Sequence, residues 1–438
     1  MRLLLMAGNY APEKTASAPL TTDFASYMRD AGHEVSVVTT FPHYPQWKVW
    51  EDQHGLYRRE EFDGVIVRRI RHYVPARPSP LKRVLYYGSF GALAFAPGLA
   101  SGRPDLILCV TPPLELALSG RALSLLWGVP YILWIKDLVP DVAIQLGMLK
   151  NRAAIGAARL LERFAYTQAE RLLVICQSFE TNLRQKGVPP EKISIIPDWV
   201  DVKEIHPGVS GGAFRMGHEI DREKFLVIHA GNIGDKQKLE LLLDAAKELQ
   251  GFPAIEFLIV GDGARKSVVV AQAEKLNLHN VRFLPLQPRE RFAEMLAAAN
   301  ILVLHQQRQV SDSVIPSKLL TYMASGRAIV ATAAPESETA RVLGRARCGS
   351  IVEPESPTKF AAAVLELYRN RDLADRYGDA GRNFVCENFS REVVLRRIES
   401  LLREASDTPL IRATGAGGSP VIAELPSQPE TVRESTLH

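Results

Sequence analysis

Short, uninterrupted apolar runs alternate along this chain with longer stretches in which apolar residues recur every three or four positions. Leu3 to Ala7 is such a run; a loop, the helical pattern Thr21 to Ala31 and the strand-like Glu34 to Thr39 follow. The alternation continues through Val65 to Ile70, Leu106 to Val110, Tyr131 to Ile135, Leu172 to Cys176 and Ile193 to Ile196. A strand apolar on both faces belongs in a parallel sheet covered by helices on each side, so the first half predicts a doubly wound α/β unit.

Gly208 to Glu223 breaks the pattern, with glycines, charges and no apolar period, and reads as a linker. A second series then runs from Phe225 to Thr332. Its strand-like runs are Phe225 to Ala230, Ile255 to Val260, Val281 to Leu284, Ile301 to Leu304 and Ala328 to Thr332. The expected architecture is two Rossmann-like doubly wound domains, over residues 1–205 and 206–375, then a helical segment over 376–405. Residues from Thr358 to Glu404 read as helical throughout. Residues 406–438 are rich in Pro, Gly, Ser and Thr and read as a disordered tail whose removal leaves stability and turnover intact. A chain of 438 residues is long enough for two separate cores.

Composition narrows this picture in three ways. Cys109, Cys176, Cys348 and Cys386 are far apart with no CxxC pair, which argues against disulfides and structural zinc. The opening MRLLLMAGNYAP has too short an apolar run for a signal peptide, so a cytoplasmic location is expected. The net charge of +4 is too small for a nucleic-acid binder, yet residues 1–200 hold 23 basic against 18 acidic side chains. Within that half, Arg68, Arg69, Arg71, Arg77, Lys82 and Arg83 lead into the apolar segment Leu81 to Ala100, which has three glycines and is too short to span a bilayer. Two readings stand for it: an element lying on anionic lipid, or a buried helix packed on the first sheet.

Candidate chemistry lies in loops that follow strands. Gly231-Asn232-Ile233-Gly234-Asp235-Lys236-Gln237-Lys238 precedes a helix, and glycines before unpaired helix amides suit a diphosphate, with Lys236 or Lys238 adding charge. A solvated turn with incidental lysines is the competing reading. Gly261-Asp262-Gly263 is an incomplete dinucleotide fingerprint, with Lys266 where a third glycine belongs. Ser311 to Lys318 is a polar loop ending at a helix start, where Asp312, Ser313 and Ser317 offer polar groups, Ser317 an N-cap and Lys318 a cation. In the first half, Asp137 follows a buried strand and can accept from a substrate hydroxyl or cap the next helix.

Six segments together resemble the GT-B retaining glycosyltransferases of family four, within them the WcaI/WbuB-type enzymes of exopolysaccharide and O-antigen assembly. They are FPHYPQWKVW at Phe41, RREEFDGVIVRRI at Arg58, KDLVPDVAIQLGMLKN at Lys136, GVPPEKISIIPDWVD at Gly187, GNIGDKQKLELLLDAA at Gly231 and SDSVIPSKLLTYMASGRAIVAT at Ser311. The resemblance covers roughly residues 1 to 400. It implies two facing domains, a nucleotide sugar held mainly by the second, an acceptor on a polyprenyl-diphosphate lipid at the first, a final helix crossing back to the first domain, peripheral association with the inner face of the plasma membrane, and neither metal nor cofactor. The chain departs from the family where glutamates are usual, having Ser313 and Thr321. It also has Asn232 for the usual arginine and Gln237, between Lys236 and Lys238, for the usual lysine. The small glycine-rich N-terminal turn is replaced by Thr15-Ala16-Ser17-Ala18-Pro19.

The chemistry expected is front-face transfer with retention, retention resting on the resemblance alone. A nucleoside diphosphate, UDP first, gains charge as it leaves and is stabilised by amides at Gly234 and Ser317 with Lys236, Lys238 and Lys318. Asp137, Lys238 and Lys318 are the candidate catalytic groups. Gly231, Asn232, Gly234, Lys236, Gly261, Gly263, Asp312, Ser313 and Ser317 are the candidate donor-binding groups. Two other classes compete: a non-hydrolysing nucleotide-sugar epimerase, which needs an acid and base set that only Asp137 and scattered histidines supply, and a non-catalytic nucleotide-sugar-binding protein.

Overall fold

The computed structural model describes residues 1–145, 147–234, 237–306 and 316–407. One sheet uses β1 (Arg2–Met6), β2 (Glu34–Thr40), β3 (Tyr57–Phe62), β4 (Val65–Ile70), β5 (Leu106–Thr111), β6 (Tyr131–Ile135), β7 (Arg171–Val174) and β8 (Ile193–Ile195), in spatial order β3-β4-β2-β1-β5-β6-β7-β8. The other uses β9 (Phe225–Ala230), β10 (Ile255–Val260), β11 (Val281–Leu284), β12 (Ile301–His305), β13 (Ala328–Thr332) and β14 (Gly349–Val352), in order β11-β10-β9-β12-β13-β14. In each sheet the strand order reverses once, between β1 and β5 and between β9 and β12, which opens a crevice at the carboxyl ends of those strands.

The apolar pattern missed β3, which pairs antiparallel with β4. Its sequence YRREEF lies on the sheet edge, half-exposed, and carries no apolar alternation. The turn that joins it to β4 is Asp63-Gly64, both with positive φ, the usual chemistry of a tight hairpin. The linker reading of Gly208 to Glu223 also needs correction, because Gly212–Gly217 is a short helix with Phe214 fully buried. Gly211 lets that helix approach Ala298 closely, since a Cβ there would overlap the Ala298 backbone. The continuous helical stretch after Thr358 resolves into Pro357–Arg369, Arg371–Asn388 and Arg391–Asp407.

Arg391–Asp407 packs on the first sheet although it ends the described chain. Val394, Leu395, Ile398 and Leu402 join Phe24, Ala25 and Met28 in one core cluster with β1 and β5. Full burial of each such side chain stabilises by about 1.5–3 kcal/mol. Polar ties fix the direction of the helix: Arg391 to Asp23 at 2.7 Å, and Glu399 accepting from Tyr27 Oη at 3.0 Å with His33 Nε2 also at 3.0 Å.

The segment Leu81 to Ala100 becomes two helices, Pro80–Leu93 and Phe95–Leu99. The buried-helix reading holds for one side of the longer helix. Tyr86, Phe90 and Gly91 are buried, whereas Leu81, Val84, Leu85 and Leu93 are exposed. Arg68 and Arg69 are not part of any basic surface. They are buried on β4, where Arg69 pairs with Glu60 at 2.5 Å and donates to the carbonyls of Ala11 and Thr40. Among the described residues no helix is long and apolar enough to cross a membrane.

Candidate functional site

The crevice between β9 and β12 is assembled from two glycine loops and one helix. Gly231 N–H donates to Val260 O at 2.8 Å, Ile233 N–H to Asp262 O at 2.8 Å and Arg265 N–H to Ile233 O at 3.0 Å, so the loops after β9 and β10 are laced backbone to backbone. A Cβ at Gly261 would overlap Gly231 O, and one at Gly263 would overlap Ile233 O. These two glycines are therefore required by the lacing itself rather than by a dinucleotide.

Helix Ser317–Ala324 is pinned to the same point. Tyr322, fully buried, accepts from Ala230 N–H at 3.1 Å and donates to Ala230 O at 3.2 Å. Lys318 lies one turn earlier on the same side of the helix and is thereby laid across Gly231, where any Cβ would strike its Cε and Nζ. Burial lowers the Lys318 pKa to about 8. Below the lysine, His229 is held well under the usual imidazole range by burial and then by the Lys318 charge. Sequence reasoning singled out Lys318 but missed Tyr322, whose spacing of four residues from Lys318 was the available signal.

The structure thus brings together Gly231, Asn232, Gly234, Gly261, Gly263 and Lys318. Asn232 Nδ2 lies 3.4 Å from Gln237 Oε1, tying the loop across its own turn. Lys238 goes elsewhere, forming a half-exposed pair with Glu355 at 3.6 Å. Ser317 is the first residue of its helix and Pro316 the capping position, so Ser317 is not the N-cap. Thr321 donates to Ser317 O at 3.1 Å. Lys236, Asp312 and Ser313 lie outside the described residues, as does the tail beyond Asp407.

The crevice of the first sheet holds a cavity of about 260 Å³ between Gly8, after β1, and Pro112 and Pro113, after β5. Its walls are aromatic and basic: Tyr44, Trp47, His72, Arg83, Tyr86 and Tyr87. Buried Glu13 organises one side, accepting from the N–H groups of His43 and Tyr44 and from Asn9 Nδ2, each at 2.8 Å. His43 Nε2 meets Tyr86 Oη at 2.6 Å. Asp137 stands four residues ahead of helix Asp141–Gln145, so it does not cap that helix. Its charge is felt at Tyr87, whose phenol pKa is raised first by burial, opposed by Arg83, and raised further by Glu115 and Asp137. Neighbouring Lys136 is buried against the Trp134 ring at 4.0 Å and pairs with Asp198.

Burial, and then His43, lowers the His72 pKa to about 3, and burial lowers His305 to about 4. Both imidazoles stay neutral in the fold while the unfolded chain takes up protons near pH 6.5. Stability is therefore expected to fall as pH drops below 6.5, by on the order of 2 kcal/mol per histidine at pH 5. Urea midpoints at pH 7 and pH 5 check this, and His72→Gln should flatten the difference.

The two domains are joined by a latch. Glu338, 4% exposed, opens helix Glu338–Ala346 in the second domain. Its carboxylate accepts from Ser178 N–H at 2.9 Å and from the Ser178 hydroxyl, at the N-terminus of helix Gln177–Gln185 in the first. Removing it in Glu338→Ala leaves half-buried donors unpaired and should cost about 1 kcal/mol. A lower melting temperature together with a larger radius of gyration in solution scattering is the expected result.

Two doubly wound sheets, the first with one antiparallel edge strand and each with a crevice at its reversal point, form the GT-B fold. Residues 16–199 match the family described as glycosyl transferase 4-like domain, and residues 213–384 match glycosyl transferases group 1. The chain is 32% identical over 415 residues, 92% of its own length and 100% of the relative's, to WcaI of Escherichia coli strain K12, named as a colanic acid biosynthesis glycosyl transferase. It belongs to this glycosyltransferase family. Among solved structures it is similar to HepE of Anabaena in complex with UDP, with a TM-score of 0.68, 15% identity and coverage of 92% and 100%. It is also similar to sucrose-phosphate synthase of Thermosynechococcus elongatus, with a TM-score of 0.67, 18% identity and coverage of 92% and 98%.

Proposed function

We propose that this glycosyltransferase moves a sugar from a UDP-sugar, with retention, to a glycan on a lipid diphosphate in bacterial surface polysaccharide synthesis, working at the inner face of the plasma membrane. The single observation that carries the donor half is Lys318 laid across Gly231 at the β9/β12 crevice. A cation over a glycine loop suits a leaving diphosphate, whose charge grows as the sugar becomes cation-like. HepE was solved with UDP, and WcaI is named for a polysaccharide pathway; both support the reading. Asn232, Gly234 and the start of helix Ser317–Ala324 complete the donor side, with Lys236, Asp312 and Ser313 proposed from sequence alone.

The acceptor is assigned to the aromatic cavity of the first domain, with Asp137 orienting the attacking hydroxyl. Aromatic faces suit sugar rings, and Arg83 suits a phosphate. Lys238, already paired with Glu355, is given the lesser role of tuning the loop. A panel of nucleotide sugars incubated with a polyprenyl-diphosphate glycan tests the reading, with product mass and anomeric configuration as readouts. A product heavier by one sugar, in the donor's configuration, supports it. Release of an epimerised nucleotide sugar, or binding without turnover, would replace it with the epimerase or the binding protein respectively.

A further inference from the structure

Helices Pro80–Leu93, Leu116–Trp127 and Arg152–Gln168 cover one side of the first sheet and touch in sequence. Ser119 Oγ donates to Gly91 O at 2.5 Å, and Arg121 Nε donates to Gln168 Oε1 at 3.1 Å. Their inner sides are apolar, as expected: Phe90, Leu116, Leu123, Ala165 and Tyr166 belong to one core cluster. Their outer sides are apolar too. Leu81, Leu85, Leu125, Leu126 and Leu160 are 53–72% exposed, and of seventeen exposed large hydrophobic side chains among the described residues, nine lie on this layer or the adjoining Phe95–Leu99. The outward positions keep helical spacing, Leu81, Val84, Leu85 and Gly88 on one helix, Leu118, Ala122, Leu125 and Leu126 on the next. A helix apolar all round has a partner on its outer side as well as its inner one.

Charge identifies that partner. Between Asp63 and Asp105 the sequence has no acidic residue, and Arg71, Arg77, Lys82, Arg83 and Arg103 of its basic ones are not buried. Arg77, Lys82 and Arg103 are exposed beside the apolar positions, as are Arg152 and Arg163 on the third helix. We infer that this three-helix surface docks on an anionic lipid bilayer, and that helix Pro80–Leu93 feeds the acceptor from the bilayer into the first-domain cavity. The same helix presents Leu81 and Leu85 outward while Arg83, Tyr86 and Tyr87 line the cavity. A headgroup-level sugar phosphate then reaches the cavity without its lipid leaving the membrane. The feeding half rests on the lipid-linked acceptor proposed above; the docking half stands without it.

Flotation of the full chain with acceptor-free phosphatidylglycerol and phosphatidylethanolamine vesicles tests docking alone. The wild type should float at low salt and be largely released at 1 M, where the screening length shrinks to about 3 Å. Lys82→Glu and Arg163→Glu should each weaken partitioning about fivefold or more, the equivalent of about 1 kcal/mol per basic residue. Leu85→Ser and Leu125→Ser with Leu126→Ser should weaken it with no change in melting temperature, whereas exposed Leu286→Ser on the second domain should not. A wild type that stays with the soluble fraction at low salt overturns docking, as does self-association broken by the Leu125 and Leu126 changes in its place. Vesicle binding combined with no product from the polyprenyl-diphosphate glycan in the donor panel leaves docking standing and removes the lipid-linked acceptor.

Discussion

Lys318→Ala is expected to weaken nucleoside-diphosphate binding by about 1.5–3 kcal/mol, roughly ten- to more than a hundredfold, with the fold intact. The lysine's helix is anchored through Tyr322, and among the described residues no carboxylate pairs with the ammonium, so removing its charge disturbs the ligand more than the protein. Lys318→Met, which keeps the stem and loses the ammonium, should reproduce the loss. The pH dependence is a sharper test. Burial lowers Lys318 to about 8, so affinity should decline above pH 8, and binding there should take up a proton because the diphosphate favours the charged lysine. Stability moves the opposite way. Between about pH 8 and 10.5 the unfolded chain binds the proton that the fold rejects, so this group's contribution to stability rises with pH. Calorimetry in buffers of different ionisation enthalpy reads the proton directly. Unchanged affinity in both variants would falsify the assignment of Lys318 to the donor site.

Phe90→Ala should cost about 3–5 kcal/mol of stability, the range for emptying an aromatic side chain from a core. Phe90 is 2% exposed, joins the cluster under β1 and β5, and has its ring 5.7 Å from that of His72. Leu85, on the same helix, is more than half exposed, and Leu85→Ser should change stability by no more than about 0.5 kcal/mol. Thermal unfolding of the two variants side by side decides the matter. Similar losses in both would mean that the outer side of Pro80–Leu93 is already covered in solution.

The contrast between Phe90 and Leu85 also shows what sequence can reveal. Parallel strands such as Leu106–Thr111 and Phe225–Ala230 announce themselves because both faces are buried and every position is apolar. Edge strand Tyr57–Phe62 does not, since one side of its backbone and most of its side chains meet solvent. Helix Pro80–Leu93 left two readings open because its apolar residues go all the way round, and no periodicity says which side meets the sheet. At the donor site the glycines and Lys318 were legible as residue types in order. Their convergence was not, because it depends on Tyr322 reaching Ala230 across 92 residues of chain. Lys238 looked equivalent to Lys318 in sequence, yet in the fold it pairs with Glu355, far along the chain.

The return of helix Arg391–Asp407 to the first sheet has a bearing on synthesis. The first domain's core includes Val394, Leu395, Ile398 and Leu402, so the half of the chain made first cannot close this apolar surface until the helix Arg391–Asp407 emerges. At ribosomal rates of about 5–20 residues per second, that surface stays open for roughly ten seconds or more after the rest of its domain is made. A nascent chain halted before Arg391 should be cleaved by protease near Phe24 and Met28, where the released chain resists. Engineered exchanges of first domains between relatives should therefore carry the matching final helix with them.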